Sequence, residues 1–467
     1  MVAAVFAGDT LDSTLFSFMP EVALAFRVDA LALLFAGTAS ALWVVSILYS
    51  IGYMRALGEQ DQTRFYALFA LALSATIGLA FSANLLTFYL FYEALTFITF
   101  GLVTHHKTAE ALAAGRKYLA YHIGTSVAFL LPAIIWTYAA SGTFTFERGG
   151  VLAGAGLSST ALIVLYFLFL GGVGKAAIMP LHAWLPAAMV APVPVSALLH
   201  AVAVVNAGVF LAFRVILDVF GQDLMRELNL GAITLVVVSV TIVLASFHAL
   251  RLDSLKAILA YSTIGQLSYM ILGVALLSPR GMTGGAMHLA IHSISKITLF
   301  FCAGAIYVGT GRTNVSEMDG IGRRLPLVMA AFSVGALSIV GLPPMSGFWT
   351  KWYLLTGSLQ ARHIGVFVVL LLSTLLSAVY YLKVVRRAFF GSAEPGELER
   401  SAMAHVGSQA ASANSERELA RLRTPMDAGT REVPILVLIP TLAMAAAVIV
   451  LGIFPRPLLV LVARVFG

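Results

Sequence analysis

The stretch FLFLGGVGKAAIMPLHAWLPAA, residues 167–188, opens as an apolar helix and then meets a lysine at 175 and prolines at 180 and 186. Proline removes a backbone donor and clashes with the preceding turn, so a helix drawn through this run must break. GLPPMSGFWTKW, residues 341–352, shows the same signs, with small residues, two prolines and a lysine just beyond them. Backbone groups left open at membrane depth are tolerated only inside protein or along a wet cavity. Two such interrupted helices in corresponding halves of a chain point to a transporter built from repeats.

Composition places both stretches in a bilayer. Of 467 residues, 60% are apolar and 11% charged, and mean hydropathy is +0.93. A soluble domain carries roughly 25% charged residues, so this chain is expected to be an all-α polytopic membrane protein. At about 20 apolar residues per crossing, the pattern predicts about twelve transmembrane helices. They fall near 28–50, 64–82, 84–103, 117–138, 160–191, 193–217, 230–250, 257–277, 284–308, 326–355, 364–390 and 433–454. Residues 1–27 hold Asp9, Asp12 and Glu21 and make no clean span; they lack the basic start of a signal peptide. The segment 392–432 has no aromatic residue, is rich in Ala, Ser, Glu and Arg, and reads as a polar linker. Residues 433–467 then supply a C-terminal transmembrane helix.

Charge gives the orientation. The loops on one side, with the 392–432 linker, hold 18 Lys and Arg, and those on the other side hold 7. The positive-inside rule makes the first set, and the linker with it, cytoplasmic. The net charge of +7 therefore reads as topology control, and no nucleic-acid partner is expected. The only cysteine, Cys302, excludes an iron–sulfur cluster, which takes about four. GGVGK at 171–175 is not a phosphate loop, because Phe169 and Ala176 stand where that motif needs glycine and a hydroxyl residue. No cofactor is expected.

An ionisable group at the bilayer centre costs about 2.5–3.5 kcal/mol on insertion scales, and such groups mark ion routes. Glu93, in LLTFYLFYEALTFITFGL, reads as the only acidic residue deep in a helix. Lys175 and Lys351 adjoin the two breaks, and Lys296 lies in MHLAIHSISKITLFF. Arg214, near a helix end, is expected to snorkel to the surface and be structural. His288, His292 and Lys296 stand at i, i+4 and i+8 and share one helix face. The histidine pair has metal-ligand spacing, but a lysine one turn on would oppose a cation and no carboxylate or cysteine completes a site, so no metal is expected. A proton relay fits better, because histidine titrates near neutral pH. His200 is the matching mid-span histidine of the first half, and His182 lies within the first break. Glu93 and Lys175 are expected to form a switchable pair.

The runs VGKAAIMPLHAWLPAAMVAPVPVSALLHA, RLDSLKAILAYSTIGQLSYM, MHLAIHSISKITLFFCAGAIY and GLPPMSGFWTKW resemble the antiporter-like membrane subunits of respiratory complex I. They are similar most of all to the D-type subunits of the Mrp-type multisubunit cation/proton antiporters. The resemblance extends from Val28 through nearly the whole chain. It implies two inverted five-helix repeats, here roughly 64–217 and 230–390 within a translocating domain at 28–391, each with a broken helix and a half-channel. It assigns the relay to Glu93, Lys175, His200, His288, His292, Lys296 and Lys351. The resemblance also implies other membrane subunits as partners, protons and a monovalent cation (Na+ or K+) as cargo, and a bacterial-type plasma membrane. Two departures stand out. Relatives usually have fourteen helices, two more than expected here at the N-terminal flank, and Asn206 stands where D-type relatives often carry lysine. The alternative reading is a proton-pumping subunit of a complex I-like oxidoreductase or membrane hydrogenase, with an independent solute carrier third.

Overall fold

A computed structural model of the chain describes residues 5, 10–19, 22–391 and 432–466. Its first regular element is a hairpin of β1 (Leu11–Met19) and β2 (Val22–Val28), paired antiparallel with Leu11 opposite Val28. The N-terminal segment thus does not cross the membrane as a helix, although the hydropathy pattern had not pointed to strands. The linker lies outside the described residues except for its last residue, Glu432.

Helices α1 (Ala30–Ala56), α2 (Gln62–Ala80), α3 (Leu85–Val103) and α4 (Ala109–Ser141) follow as long apolar spans. Each of α1, α3 and α4 starts on a side chain that takes up an orphan amide: Asp29 from Ala32, Asn84 from Thr87 and Thr108 from Ala111. Helix α4 contains a π-helical turn over Ser126–Leu130. Helix α5 (Ser159–Gly172) stops short; a 3-10 turn at Gly174–Ala176 and an irregular stretch lead to α6 (Val193–Phe220). Then come α7 (Leu230–Arg251), α8 (Leu255–Ala275) and α9 (Pro279–Thr310). The second break separates α10 (Pro326–Val340) from α11 (Gly347–Gln360), and α12 (Ile364–Phe390), α13 (Ile435–Ile453) and α14 (Arg456–Phe466) complete the fold.

Among the described residues, ten helices are long and apolar enough to cross a membrane, and two shorter apolar ones, α5 and α10, are the pieces that precede the breaks. Together they match the twelve spans in order. Over an apolar 18-residue stretch of each, α6 is fully buried and α9 94% buried, whereas α4 and α12 are each 33% buried. The first two are the interior of the bundle and the last two part of its lipid-facing wall. Helix α9 contacts α1, α6, α8, α10, α11 and α13. Residues 288–296 therefore sit at the centre of the protein.

One interruption has no breaker residue. Helix α6 is two pieces, Val193–Ala201 and Val204–Arg214, followed by a π turn at Val215–Phe220. Asn206 explains how the gap is tolerated: its amide Nδ2 donates to the carbonyl of Ala201 (2.9 Å) and to Ser293 Oγ on α9 (3.0 Å). A side-chain amide re-satisfies freed backbone and ties the two halves of the protein together.

Candidate functional site

Helix α5 ends at Gly172, and the turn that follows carries Lys175 into the interior with no exposed surface. Gly208 makes room for that turn, because a Cβ there would come within 2.2 Å of the Ala176 amide nitrogen. The Lys175 ammonium donates to the carbonyl of Tyr92 (2.8 Å) and to Thr96 Oγ1 (2.6 Å), and lies 3.3 Å from the centre of the Tyr92 ring. Both anchors belong to α3, on either side of Glu93. Among the described residues Glu93 and Lys175 form no ion pair, and Glu93 Oε1 is buried without a hydrogen-bond partner. The carboxylate and the amine thus share one half of the protein but stand apart.

The second half is built on α9. Lys296 is fully buried and donates to the carbonyl of Leu259 (3.0 Å) and to the hydroxyl of Tyr381 (3.1 Å), which in turn donates to Ser262 Oγ (2.9 Å). His288 reaches sideways from the same helix. Its Nδ1 lies 2.9 Å from Thr350 Oγ1 and its Nε2 3.0 Å from Gln266 Oε1. His292 is fully buried between His288 and Lys296 along the helix, its ring centre 5.6 Å from that of His288. The three expected to share one face do so, in one buried stripe.

Lys351 follows Thr350 on the first turns of α11 and donates to the carbonyl of Val340 (2.9 Å) and to Thr374 Oγ1 (3.0 Å). Val340 is the last residue of α10, so the lysine occupies a carbonyl freed by the break. Gly341, at φ +87°, closes α10, and a Cβ there would lie 2.6 Å from Lys351 Cδ. His200 lies on the first piece of α6; its side chain falls outside the described residues. His182 stays at the protein surface, its Nδ1 3.3 Å from the carbonyl of Pro180.

Three residues were misread or passed over. Arg214 does not snorkel. It is 2% exposed, and its Nη1 bonds Asp29 (2.7 Å) and Asp218 (2.8 Å). Asp29 at the start of α1 and Asp218 in the last turn of α6 hold the guanidinium, which lines a cavity with Arg27, Arg148 and Arg464. Asp218, also 2% exposed, was passed over; it lies in the last turn of α6 and pairs with Arg214 and Arg148. His122, on α4, is 1% exposed and was not singled out, although a histidine in the apolar run KYLAYHIGTSVAFL was signal enough.

Three buried amines, Lys175, Lys296 and Lys351, are each bonded to a carbonyl and a hydroxyl. Among the described residues no three His, Cys, Asp or Glu side chains converge as a metal site. Residues 82–377 match the family described as NADH:quinone oxidoreductase/Mrp antiporter, TM. The chain belongs to this family. Lys175, Lys296 and Lys351, with Glu93 and both buried histidines of α9, all fall inside the matched region of this NADH:quinone oxidoreductase/Mrp antiporter chain.

Among its relatives, NADH-quinone oxidoreductase subunit N of Desulforudis audaxviator is 31% identical, over 88% of this chain and 78% of its own length. Na(+)/H(+) antiporter subunit A1 of Staphylococcus haemolyticus is 28% identical over 97% of this chain, which spans only 55% of that relative. NADH-quinone oxidoreductase subunit L of Escherichia coli is 31% identical, and the chain spans 59% of it. In fold, the chain is similar to one in the Mrp complex from Dietzia sp. DQ12-45-1b, with a TM-score of 0.85 at 24% identity over 99% of this chain and 88% of that one. A chain of an archaeal membrane-bound sulfane sulfur reductase gives a TM-score of 0.82 at 23% identity, covering 99% of this chain and 87% of that one. An antiporter-like membrane subunit is the common denominator.

Proposed function

We propose that this chain is the ion-translocating subunit, of the D type, of a multisubunit monovalent cation/proton antiporter. The observation that carries the reading is that Lys175, Lys296 and Lys351 are at most 5% exposed and none has an ion-pair partner among the described residues. Desolvation disfavours a charged amine that no carboxylate compensates. Such a lysine is suited to exchange its proton rather than serve as a fixed charge.

On this reading Glu93 and Lys175 work in a first repeat at about 64–217, and His288, His292, Lys296 and Lys351 in a second at about 230–390. His200 belongs to the first repeat, and Asn206 ties that repeat to α9 through Ser293. The basic loops and the 392–432 linker face the cytoplasm of a bacterial-type plasma membrane. The cargo is protons against Na+ or K+, and other membrane subunits complete the assembly. Support comes from the antiporter relative that matches along 97% of this chain.

A second reading, a proton-pumping subunit of a redox-driven complex, is favoured by the subunit N and subunit L relatives, each 31% identical. This chain would then pass protons while partner subunits carry the redox centres. Affinity purification of the tagged chain from its native membrane separates the two. Small membrane subunits alone, with cation-driven proton movement in inverted vesicles, support the antiporter. Co-purifying flavin and iron–sulfur subunits would replace it with the pump.

A further inference from the structure

We propose that His122 is a proton carrier that exchanges its proton with Lys175, an inference that rests on the translocation reading above. His122 is 1% exposed, and neither ring nitrogen has a hydrogen-bond partner among the described residues. Its ring is held between Tyr118, with centroids 4.2 Å apart, and Trp184, at 4.3 Å. Both neighbours lead to Lys175. Trp184 Nε1 donates to the carbonyl of Gly174 (3.1 Å), the residue just before the lysine. The Tyr118 hydroxyl lies 2.6 Å from Thr99 Oγ1 on α3, one turn beyond the Thr96 hydroxyl that accepts from Lys175. Helix α4 also touches the lysine turn directly, since a Cβ on Gly174 would come within 2.4 Å of Thr125 Oγ1.

A packing role alone does not account for this ring. Phenylalanine would fill the same slot between Tyr118 and Trp184 without leaving two buried nitrogens unbonded, and a buried polar group without a partner calls for an explanation. The π turn at Ser126–Leu130 begins one turn after His122, and such turns occur frequently at functional sites. Few other titratable groups surround it. The stretch Trp184–Val190 and the π turn carry none. Helix α3 contributes Glu93, Tyr89 and Tyr92, and α4 itself Tyr118 and Tyr121. The turn at Gly174–Ala176 contributes Lys175.

An imidazolium and an ammonium repel strongly in a weakly polarisable interior, so the pair holds one proton at a time. In the transfer the proton leaves an imidazole nitrogen and joins the lone pair of Lys175 Nζ, and the ring becomes neutral as the amine becomes charged. Lys175 is then anchored on Tyr92 and Thr96, as observed.

The test uses inverted vesicles carrying the whole complex, with His122→Phe, His122→Gln and, as a control, Glu93→Gln. His122→Phe keeps the aromatic stack, and His122→Gln keeps polarity without titration. Both are expected to lose at least tenfold in proton transport at normal membrane abundance, with a pH profile that differs from the native one. A His122→Phe complex with native rate and pH profile, beside an inactive Glu93→Gln complex, overturns this inference and leaves the translocation reading standing. Full activity of Glu93→Gln overturns that reading instead. If neither His122 variant accumulates, infrared spectra of the complex with 15N-labelled histidine decide. A titrating imidazole whose midpoint moves in Lys175→Gln supports the exchange, and no moved midpoint overturns it.

Discussion

Nδ1 of His288 and the hydroxyl of Thr350, the residue just before Lys351, lie 2.9 Å apart. That contact is the bridge from the stripe on α9 to the lysine at the second break. The hydroxyl has a single hydrogen and two places to put it, since Thr350 Oγ1 also lies 3.0 Å from the carbonyl of Gly347. Turned towards Gly347, it accepts from Nδ1–H, and with Nε2–H given to Gln266 the ring is an imidazolium. Turned towards His288, it leaves the ring neutral. Such hydrogen positions follow from the network of donors and acceptors.

Thr350→Val should therefore slow transport about 5- to 10-fold, the effect of losing one net hydrogen bond of about 1 kcal/mol, while Thr350→Ser stays near the native rate. Dye-monitored proton uptake into vesicles checks it. Equal rates for valine and serine would show that the hydroxyl takes no part.

Glu93→Gln should abolish transport while the complex still assembles. The amide fills the same space but holds no exchangeable charge, and the carboxylate oxygen it replaces has no hydrogen-bond partner among the described residues that would be lost. Native rates at native abundance would remove Glu93 from the route.

Lys296→Ala should be inactive, and Lys296→Arg inactive as well. Arginine can still donate towards Leu259 and Tyr381, but it stays charged at every accessible pH and releases no proton. An active arginine variant means that position 296 needs only a fixed positive charge.

Arg214→Leu should cost stability and spare the transport chemistry. It leaves Asp29 and the buried Asp218 without the guanidinium that pairs with both, and removing one partner of a buried pair typically costs about 3–5 kcal/mol. A thermal-unfolding midpoint in detergent within a degree of native would contradict this. So would a rate per assembled complex that falls while the midpoint holds.

The purified lone chain in liposomes should show no cation-driven proton movement under an imposed Na+ or K+ gradient, and co-expression with neighbouring membrane subunits should restore it. On the proposed reading the groups from Glu93 to Lys351 pass protons, and no described feature of this chain couples them to a second ion. Robust antiport by the lone chain would make it an independent carrier.

The spans and both breaks were legible because length, apolarity and proline are local properties. Lys175, Lys296 and Lys351 stood out for the same reason, being charges in apolar runs. What escaped depends on neighbours. Arg214 looked like a helix-end cation because hydropathy along α6 does not say that protein surrounds that end. Asp218 falls one residue beyond the expected span 193–217, and only the fold brings it to Arg214 and to Arg148, whose Nη1 lies 3.1 Å away. The gap at Val202–Ala203 has neither proline nor glycine to announce it, and only the Asn206 amide, five residues from the carbonyl it caps, makes it tolerable. The hairpin at 11–28 was hidden because a search for runs of about 20 apolar residues passes over short strands.

Helix α9 runs unbroken through 32 residues, about 48 Å at 1.5 Å per residue. His288 and Lys296 are thus held about 12 Å apart by helical rise alone, like marks cut into a steel rule. Nothing that flexes the protein can change that spacing without melting a helix at its centre. The two joints where Lys175 and Lys351 hang on single carbonyls and hydroxyls have no such continuous helix. A neighbouring subunit that throttles or drives this machine has to push there, and its leverage is set by how far it displaces α5 or α11 against a rail that does not give.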